Sequence, residues 1–299
     1  MAPGPDRLRP RLPSPMGGSR PILPAPLALL HPFPSALDAV AAAAVAILAG
    51  AGVATSCGVA LAMGLIQTSI GSANDLFDIG HDRLAQPGKP LPSGRVGRRF
   101  ATGYAILAGI GGLVVARALG PLPAAVAAGG FATGLAYDAW LNRTAWSWLP
   151  YALGLPLLPA FGWAAARQQL PAGFATLVVL GSVAGAALAI GNGLVDLEAD
   201  AAAGGGGLAC RLGRRRAWPV LVVLQALLLA AAGAVVAGGT RAPASWAFLL
   251  FAVAVIVPGV ILSRGRSIAR REFGWEAQAV AVALLALAWL VASQPGVPG

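Results

Sequence analysis

Asn74-Asp75-Leu76-Phe77-Asp78-Ile79-Gly80-His81-Asp82 ends a long apolar run and precedes a basic, proline-containing stretch from Arg83 to Arg99. The run before it, residues 54–76, is long and apolar enough to cross a bilayer core, which takes about 20 such residues. Four oxygen-bearing side chains, Asn74, Asp75, Asp78 and Asp82, therefore stand at the mouth of a membrane helix. Charge is expensive there, and ionisable groups at membrane depth mark a functional site.

The rest of the composition agrees. Soluble domains carry about 25% charged residues; this 299-residue chain carries 11% and is 57% hydrophobic. Its mean hydropathy is +0.74. The apolar runs are long and rich in Ala and Leu, not alternating, which excludes a β-barrel. They fall at about 36–52, 54–76, 99–118, 120–137, 146–166, 172–196, 217–238, 243–263 and 275–294. The fold expected is all-α, a polytopic membrane protein of about nine transmembrane helices. Abundant Gly and Ala favour close helix packing in lipid, and Pro150, Pro156 and Pro159 are placed to kink the fifth helix.

A net charge of +10 would point to nucleic acid in a soluble protein. Here the basic residues lie in short loops between apolar runs, so topology accounts for them. No nucleic-acid partner and no obligate protein partner is expected. Of the 21 basic residues, all but Arg117, Arg167 and Arg241 fall on one side of the nine-span arrangement. The positive-inside rule puts that side, with the N-terminus, in the cytoplasm of a cell inner membrane, and the C-terminus outside. All eleven acids lie at or near the same side. Residues 1–30, rich in Pro and Arg, read as a disordered cytoplasmic tail, in which Met16 is a second candidate start. Residues 31–299 read as the membrane domain. The tryptophans read as interface anchors, Trp163, Trp246 and Trp289 among them on the outer side. Cys57 and Cys210 lie near opposite ends of the spans and have no metal-type spacing.

A second acid cluster closes the run 172–196: Asn192-Gly193-Leu194-Val195-Asp196-Leu197-Glu198-Ala199-Asp200. Asn74 matches Asn192, Leu76 matches Leu194, Asp78 matches Asp196 and Asp82 matches Asp200, all at an offset of 118. This is an internal repeat. The spacing i, i+4, i+8 stacks oxygen ligands along one stripe of a helix. Two facing stripes, with Asp138 joining them, would repel strongly without cations. Hard oxygen ligands suit Mg²⁺, which takes one or two carboxylates together with substrate phosphates. A phosphate-bearing ligand bridging two metal-loaded helix ends is the expectation, with neighbouring basic residues completing the anion site.

These residues resemble the UbiA superfamily of intramembrane prenyltransferases. The family's first motif, N-D-x-x-D-x-x-x-D, is present at Asn74, Asp75, Asp78 and Asp82, and is followed by Lys89-Pro90-Leu91-Pro92-Ser93-Gly94-Arg95. Its second motif, D-x-x-x-D, is present at Asp196 and Asp200. The resemblance implies a nine-helix bundle around a central cavity capped by cytoplasmic loops. It implies Mg²⁺-dependent transfer of a prenyl group from a prenyl diphosphate to an aromatic or other lipophilic acceptor, within the bilayer and through an allylic carbocation.

Under that resemblance Asn74, Asp78 and Asp82 hold one metal, and Asp196 and Asp200 the other. Asp75 and Glu198 are ligands or supports. Asp75, Asp78, Asp196 and Arg143 are the candidate catalytic residues. Arg83, Lys89, Arg143 and Arg211 are candidates for the diphosphate, and Tyr137 and Asn192 for the substrate pocket. Many members carry a Lys four or five residues after the Tyr of the fourth loop. Here Tyr137 is followed by Arg143 instead, whose guanidinium would grip a diphosphate as a planar fork. His81 reads as a solvated loop residue, and Gly204–Gly207 as a flexible linker or a phosphate cradle. An intramembrane terpene cyclase is an alternative that ionises the same diphosphate. A transporter of divalent cations or organic anions is an alternative of another class.

Overall fold

Local rules place the helix ends. The computed structural model describes residues 24, 27, 29–239 and 242–293, so most of the tail expected over 1–30, Met16 and Arg241 lie outside the described residues. Helix α1 spans Pro32–Leu48, α2 Val53–Phe77, α3 Ile79–Ala85 and α4 Arg98–Ala118. Helix α5, Pro121–Ala136, continues into a π-helical turn, Tyr137–Leu141. Helices α6, Leu149–Gly154, and α7, Leu157–Arg167, form one interrupted span. Then come α8 Phe174–Val195, α9 Leu197–Ala202, α10 Leu208–Leu212, α11 Arg214–Gly238, α12 Pro243–Leu262 and α13 Ile268–Ser293. Proline opens α1, α5 and α12, where its missing N–H costs nothing. Pro156 stands at the break between α6 and α7, where a backbone N–H would otherwise continue the ladder.

Seven of the described helical spans are long and apolar enough to cross a membrane. The shorter apolar helices α1 (17 residues) and α5 (16 residues) complete the set of about nine. The chain is an all-α integral membrane protein. Helices α1, α2, α5, α6 with α7, α8 and α13 close into a ring by consecutive contacts. Outside it, α4 backs α2, α11 backs α8 and α13, and α12 packs along α13.

Lipid removes most of the hydrophobic drive between helices, so close contact of small residues does the packing. Gly185 of α8 illustrates this. A Cβ there would lie 2.2 Å from the Tyr151 carbonyl oxygen of α6, so only glycine lets these backbones meet. Away from the acid motifs the core is apolar, with Val45, Trp163, Leu177, Trp289 and Leu290 in one buried cluster. Trp163 and Trp289 are thus core residues, 5% and 4% exposed, not the interface anchors expected. Their rings fill the ring's interior, whereas Trp246 is exposed as expected. In the C-terminal half, Gln278 is fully buried and hydrogen-bonds to Gln225 and Ser263. Gln225 donates to Gln278 Oε1 at 3.0 Å, while its own Oε1 is buried with no partner among the described residues.

The two motif helices end alike. Helix α2 stops at Phe77, Asp78 takes φ −92°, ψ 4°, and α3 begins. Helix α8 stops at Val195, Asp196 takes φ −108°, ψ 21°, and α9 begins. The breaks stand at the repeat offset. This corrects the expected continuous stripe: each helix bends at its central Asp. The backbone bonds from Asp78 to Asn74 (2.9 Å) and from Asp82 to Asp78 (2.8 Å) persist across the bend. The i, i+4 relation survives while the direction changes.

Candidate active site

The ring encloses a cavity of about 740 Å³. Its walls below are apolar, including Ile66, Val126, Phe131, Leu157, Leu158 and Phe161. Its mouth carries Asn74, Asp78 and Asp82 from the first motif and Asp196 and Asp200 from the second. The short helices α3 and α9 touch, and that contact turns the two acid sets toward each other.

Each carboxylate at the mouth is held. Asn74 donates to Asp138 (3.1 Å) and to Asp78 (3.4 Å). Asn142 donates to both oxygens of Asp78 at 3.3 Å, and Arg143 forms an ion pair with Asp78. Gln86, from the end of the first motif's loop, donates to Asp196 at 3.0 Å, and His81 stands 3.2 Å from Asp200. Two residues of the first repeat thus contact the acids of the second. Burial holds the Asp196 carboxyl above the usual carboxylate range, and the nearby Asp200 carboxylate pushes it the same way. Like charges crowded in this way favour a bound cation.

Among the described residues, no three His, Cys, Asp or Glu side chains already converge as a metal cage. That fits Mg²⁺, which keeps waters and substrate phosphates in its shell. The donor set is all oxygen, and one oxygen of buried Asp138 has no hydrogen-bond partner among the described residues. The residues present suit the metal.

Four expected site residues, Asp75, Arg83, Glu198 and Arg211, lie off the cavity wall. Asp75 is 2% exposed and points sideways, 3.1 Å from His31 and 3.2 Å from Lys89. Lys89 also meets Asp82 at 2.9 Å. Burial works against the Lys89 ammonium, but Asp75 and Asp82 outweigh it and hold it above its ordinary value. Burial raises Asp82 even with Lys89 beside it. Arg83 is exposed. Arg211 is exposed as well and donates to the Gly206 carbonyl at 2.7 Å. Glu198 turns away to Arg214 and to Arg271 (2.9 Å). Tyr137 and Asn192 do line the cavity. The Tyr137 ring meets Tyr151 edge-on at 5.3 Å.

His81 is a cavity residue, not the solvated loop residue expected. The bend at Asp78 turns the first turn of α3 inward. Asn142, Gln86, His31, Asp38 and Gln67 also line the cavity, and sequence reasoning passed over them. A polar residue inside an apolar run was the available signal for Asp38 and Gln67.

The Gly204–Gly207 run is a packed joint. A Cβ on Gly206 would lie 2.1 Å from the Arg143 carbonyl oxygen. Leu208 donates its N–H to the Ser147 hydroxyl at 2.9 Å. The loop after the second motif therefore sets the position of Arg143. Gly206→Ala should push Arg143 off Asp78 and lower kcat/KM by about tenfold, roughly 1.4 kcal/mol, with little change in melting temperature. Steady-state kinetics beside a thermal melt checks this.

A model of the UbiA prenyltransferase family matches residues 36–275. The chain belongs to that family. A digeranylgeranylglyceryl phosphate synthase from Pyrococcus abyssi (strain GE5 / Orsay) is 31% identical over 150 residues, 48% of this chain and 52% of that protein. The chain spans about half the length of this curated relative. A UbiA homologue from Aeropyrum pernix K1 superposes with a TM-score of 0.71 at 17% identity, covering 86% of this chain and 96% of the other. A UbiA homologue from Archaeoglobus fulgidus bound to GPP and Mg²⁺ gives 0.63 at 19% identity, covering 87% and 99%. These likenesses establish the UbiA fold. The expected all-α bundle around a cavity is the one found.

Proposed function

We propose that this UbiA-family chain is a Mg²⁺-dependent prenyltransferase acting within the membrane. It would move a prenyl group from a prenyl diphosphate to a lipophilic acceptor. One observation carries the reading: two acid motifs, one from each half, meet over the mouth of a single apolar-walled cavity. The Archaeoglobus homologue solved with GPP and Mg²⁺ supports it. We place the mouth, with the N-terminus, on the cytoplasmic side of a cell inner membrane and the C-terminus outside, from the distribution of basic residues. Residues 31–299 are taken as the catalytic membrane domain and 1–30 as a tail.

Asn74, Asp78 and Asp82 would hold one Mg²⁺, and Asp196 and Asp200 the second. When bound, the metals supply Lewis acidity to the leaving diphosphate. Arg143 reaches the same place from the π-helical turn and its following loop, and would grip phosphate oxygens by its fork. Lys89 and His31 pin Asp75, which steadies the first motif from behind. Arg83 and Arg211 serve the approach of the anion from outside the cavity. The apolar walls take the prenyl chain, each buried CH₂ contributing about 0.8 kcal/mol. Tyr137, Tyr151 and Asn192 line the passage between mouth and walls. Exclusion of water there protects the allylic cation from hydrolysis.

The test uses purified protein in liposomes with labelled geranylgeranyl diphosphate. The acceptor panel is 4-hydroxybenzoate, a dihydroxynaphthoate, homogentisate and a prenylglyceryl phosphate, the last suggested by the Pyrococcus relative's name. Transfer of label to one acceptor is expected, lost with EDTA and restored by Mg²⁺. A cyclic hydrocarbon formed without acceptor would replace this reading by a terpene cyclase. Cation or anion flux without transfer would replace it by a transporter.

A further inference from the structure

One cavity carboxylate has no part in holding metal or diphosphate. Asp38 lies on α1 among apolar neighbours and faces the cavity. Gln67 of α2 donates to its Oδ2 at 2.5 Å. Its other oxygen, Oδ1, has no hydrogen-bond donor among the described residues. Gln67 precedes Asn74 by seven residues on the unbroken helix α2. The pair therefore stands two turns, about 10 Å, below the metal-binding end. A diphosphate held at Asn74 and Asp78, with its chain running down the cavity, brings its reacting carbon into that interval.

Asp38 also borders a second space. A smaller cavity of about 90 Å³ adjoins the first and shares Leu37, Asp38, Leu155 and Leu158 with it. Asp38 is the one charged residue on its described wall; the rest is apolar, Leu177, Leu228 and Trp289 included. A half-satisfied carboxyl between two apolar spaces is costly unless a donor fills the open side. The donor that suits it is a hydroxyl on an otherwise apolar molecule.

We infer that Asp38 is the acceptor-side catalytic residue: its free oxygen takes the hydrogen bond, and then the proton, of the acceptor's hydroxyl. The inference rests on the prenyltransferase reading. The C1–O bond of the prenyl diphosphate breaks, and its electron pair leaves with the diphosphate. An electron pair of the acceptor hydroxyl oxygen forms the new bond to C1. The hydroxyl proton passes to Asp38 Oδ1, with Gln67 holding the carboxyl in place. The products are a prenyl ether, diphosphate and a protonated Asp38, so the acceptor class is an apolar alcohol or phenol that reacts at oxygen.

The experiment follows two products from labelled geranylgeranyl diphosphate in the full-length protein with Mg²⁺. One is the prenylated hydroxyl acceptor that the wild type uses from the panel; the other is diphosphate. A positioned base contributes about 10²–10⁴ in rate. In Asp38→Asn the fraction of released diphosphate matched by ether product should fall at least about 100-fold, with label diverted to prenyl alcohol and diene. Asp38→Glu should recover part of that fraction. A misfolded variant lowers both products together and leaves the fraction unchanged, so the fraction reports chemistry. An unchanged fraction in an Asp38→Asn variant that still releases diphosphate at close to the wild-type rate overturns the inference, and so does a wild-type product bonded at carbon. Failure of the wild type to release any diphosphate would instead count against the prenyltransferase reading itself.

Discussion

Asp78→Ala and Asp196→Ala are each expected to lower prenyl transfer by about 10³ or more. That corresponds to about 4 kcal/mol of lost charge stabilisation, the scale of a metal's Lewis-acid contribution. Asp78 stands at the joint of α2 and α3 and also receives Arg143, Asn142 and Asn74. Under the proposed two-metal reading, its loss would release a metal ligand and the anchor of the arginine proposed to grip the diphosphate together. Asp196 stands at the equivalent joint and is held by Gln86 from the other half. Both grips are proposed to act on one diphosphate, so the double variant should lose little more than either single one. Turnover of labelled prenyl diphosphate measures the effect, and a thermal melt in detergent shows that each variant folds. Full activity in either single variant would sink the two-metal assignment.

Lys89→Met is expected to cost stability as well as activity. The ammonium is the shared partner of Asp75 and Asp82, whose side chains are 3% and 5% exposed. Methionine keeps the length of the side chain and removes the charge, leaving two buried carboxylates to repel each other. Breaking a buried pair from one side costs about 3 kcal/mol or more. The melting temperature should drop by several degrees, and activity should fall because Asp82 is a proposed ligand of the first metal. Lys89→Met with Asp75→Asn should regain part of the stability, since one uncompensated charge is then gone. Denaturation of the three variants in one detergent decides it; equal melting of Lys89→Met and wild type would show the pair to be energetically idle.

Much of this molecule was legible in its residues. The apolar runs located the spans because lipid demands length and apolarity from a helix, and little else. The repeat of Asn74, Asp78 and Asp82 in Asn192, Asp196 and Asp200 foretold two matching helix ends, and the breaks at Asp78 and Asp196 stand at that offset. The bends themselves were not legible. Spacing reads the same on a straight helix as on a broken one, so His81 looked solvated although it faces Asp200. Nor could spacing separate cavity-facing from sideways acids. Asp75 is one residue from Asn74, roughly 100° round the helix, and that rotation turns it toward His31 and Lys89. Asp38 escaped notice because a lone acid in an apolar run has no partner in sequence; Gln67 is 29 residues away.

The joint between Gly206 and the Arg143 backbone bears on the order in which the chain is made. Arg143 is synthesised and inserted well before Gly206, and the first acid motif earlier still. Until the ribosome has delivered Asp196, Asp200 and the glycine loop, the early motif has neither its facing carboxylates nor the backbone that seats its arginine. A half-inserted chain would therefore be chemically silent. On the proposed mechanism, no allylic cation would form in the membrane until the later half had docked and closed the mouth.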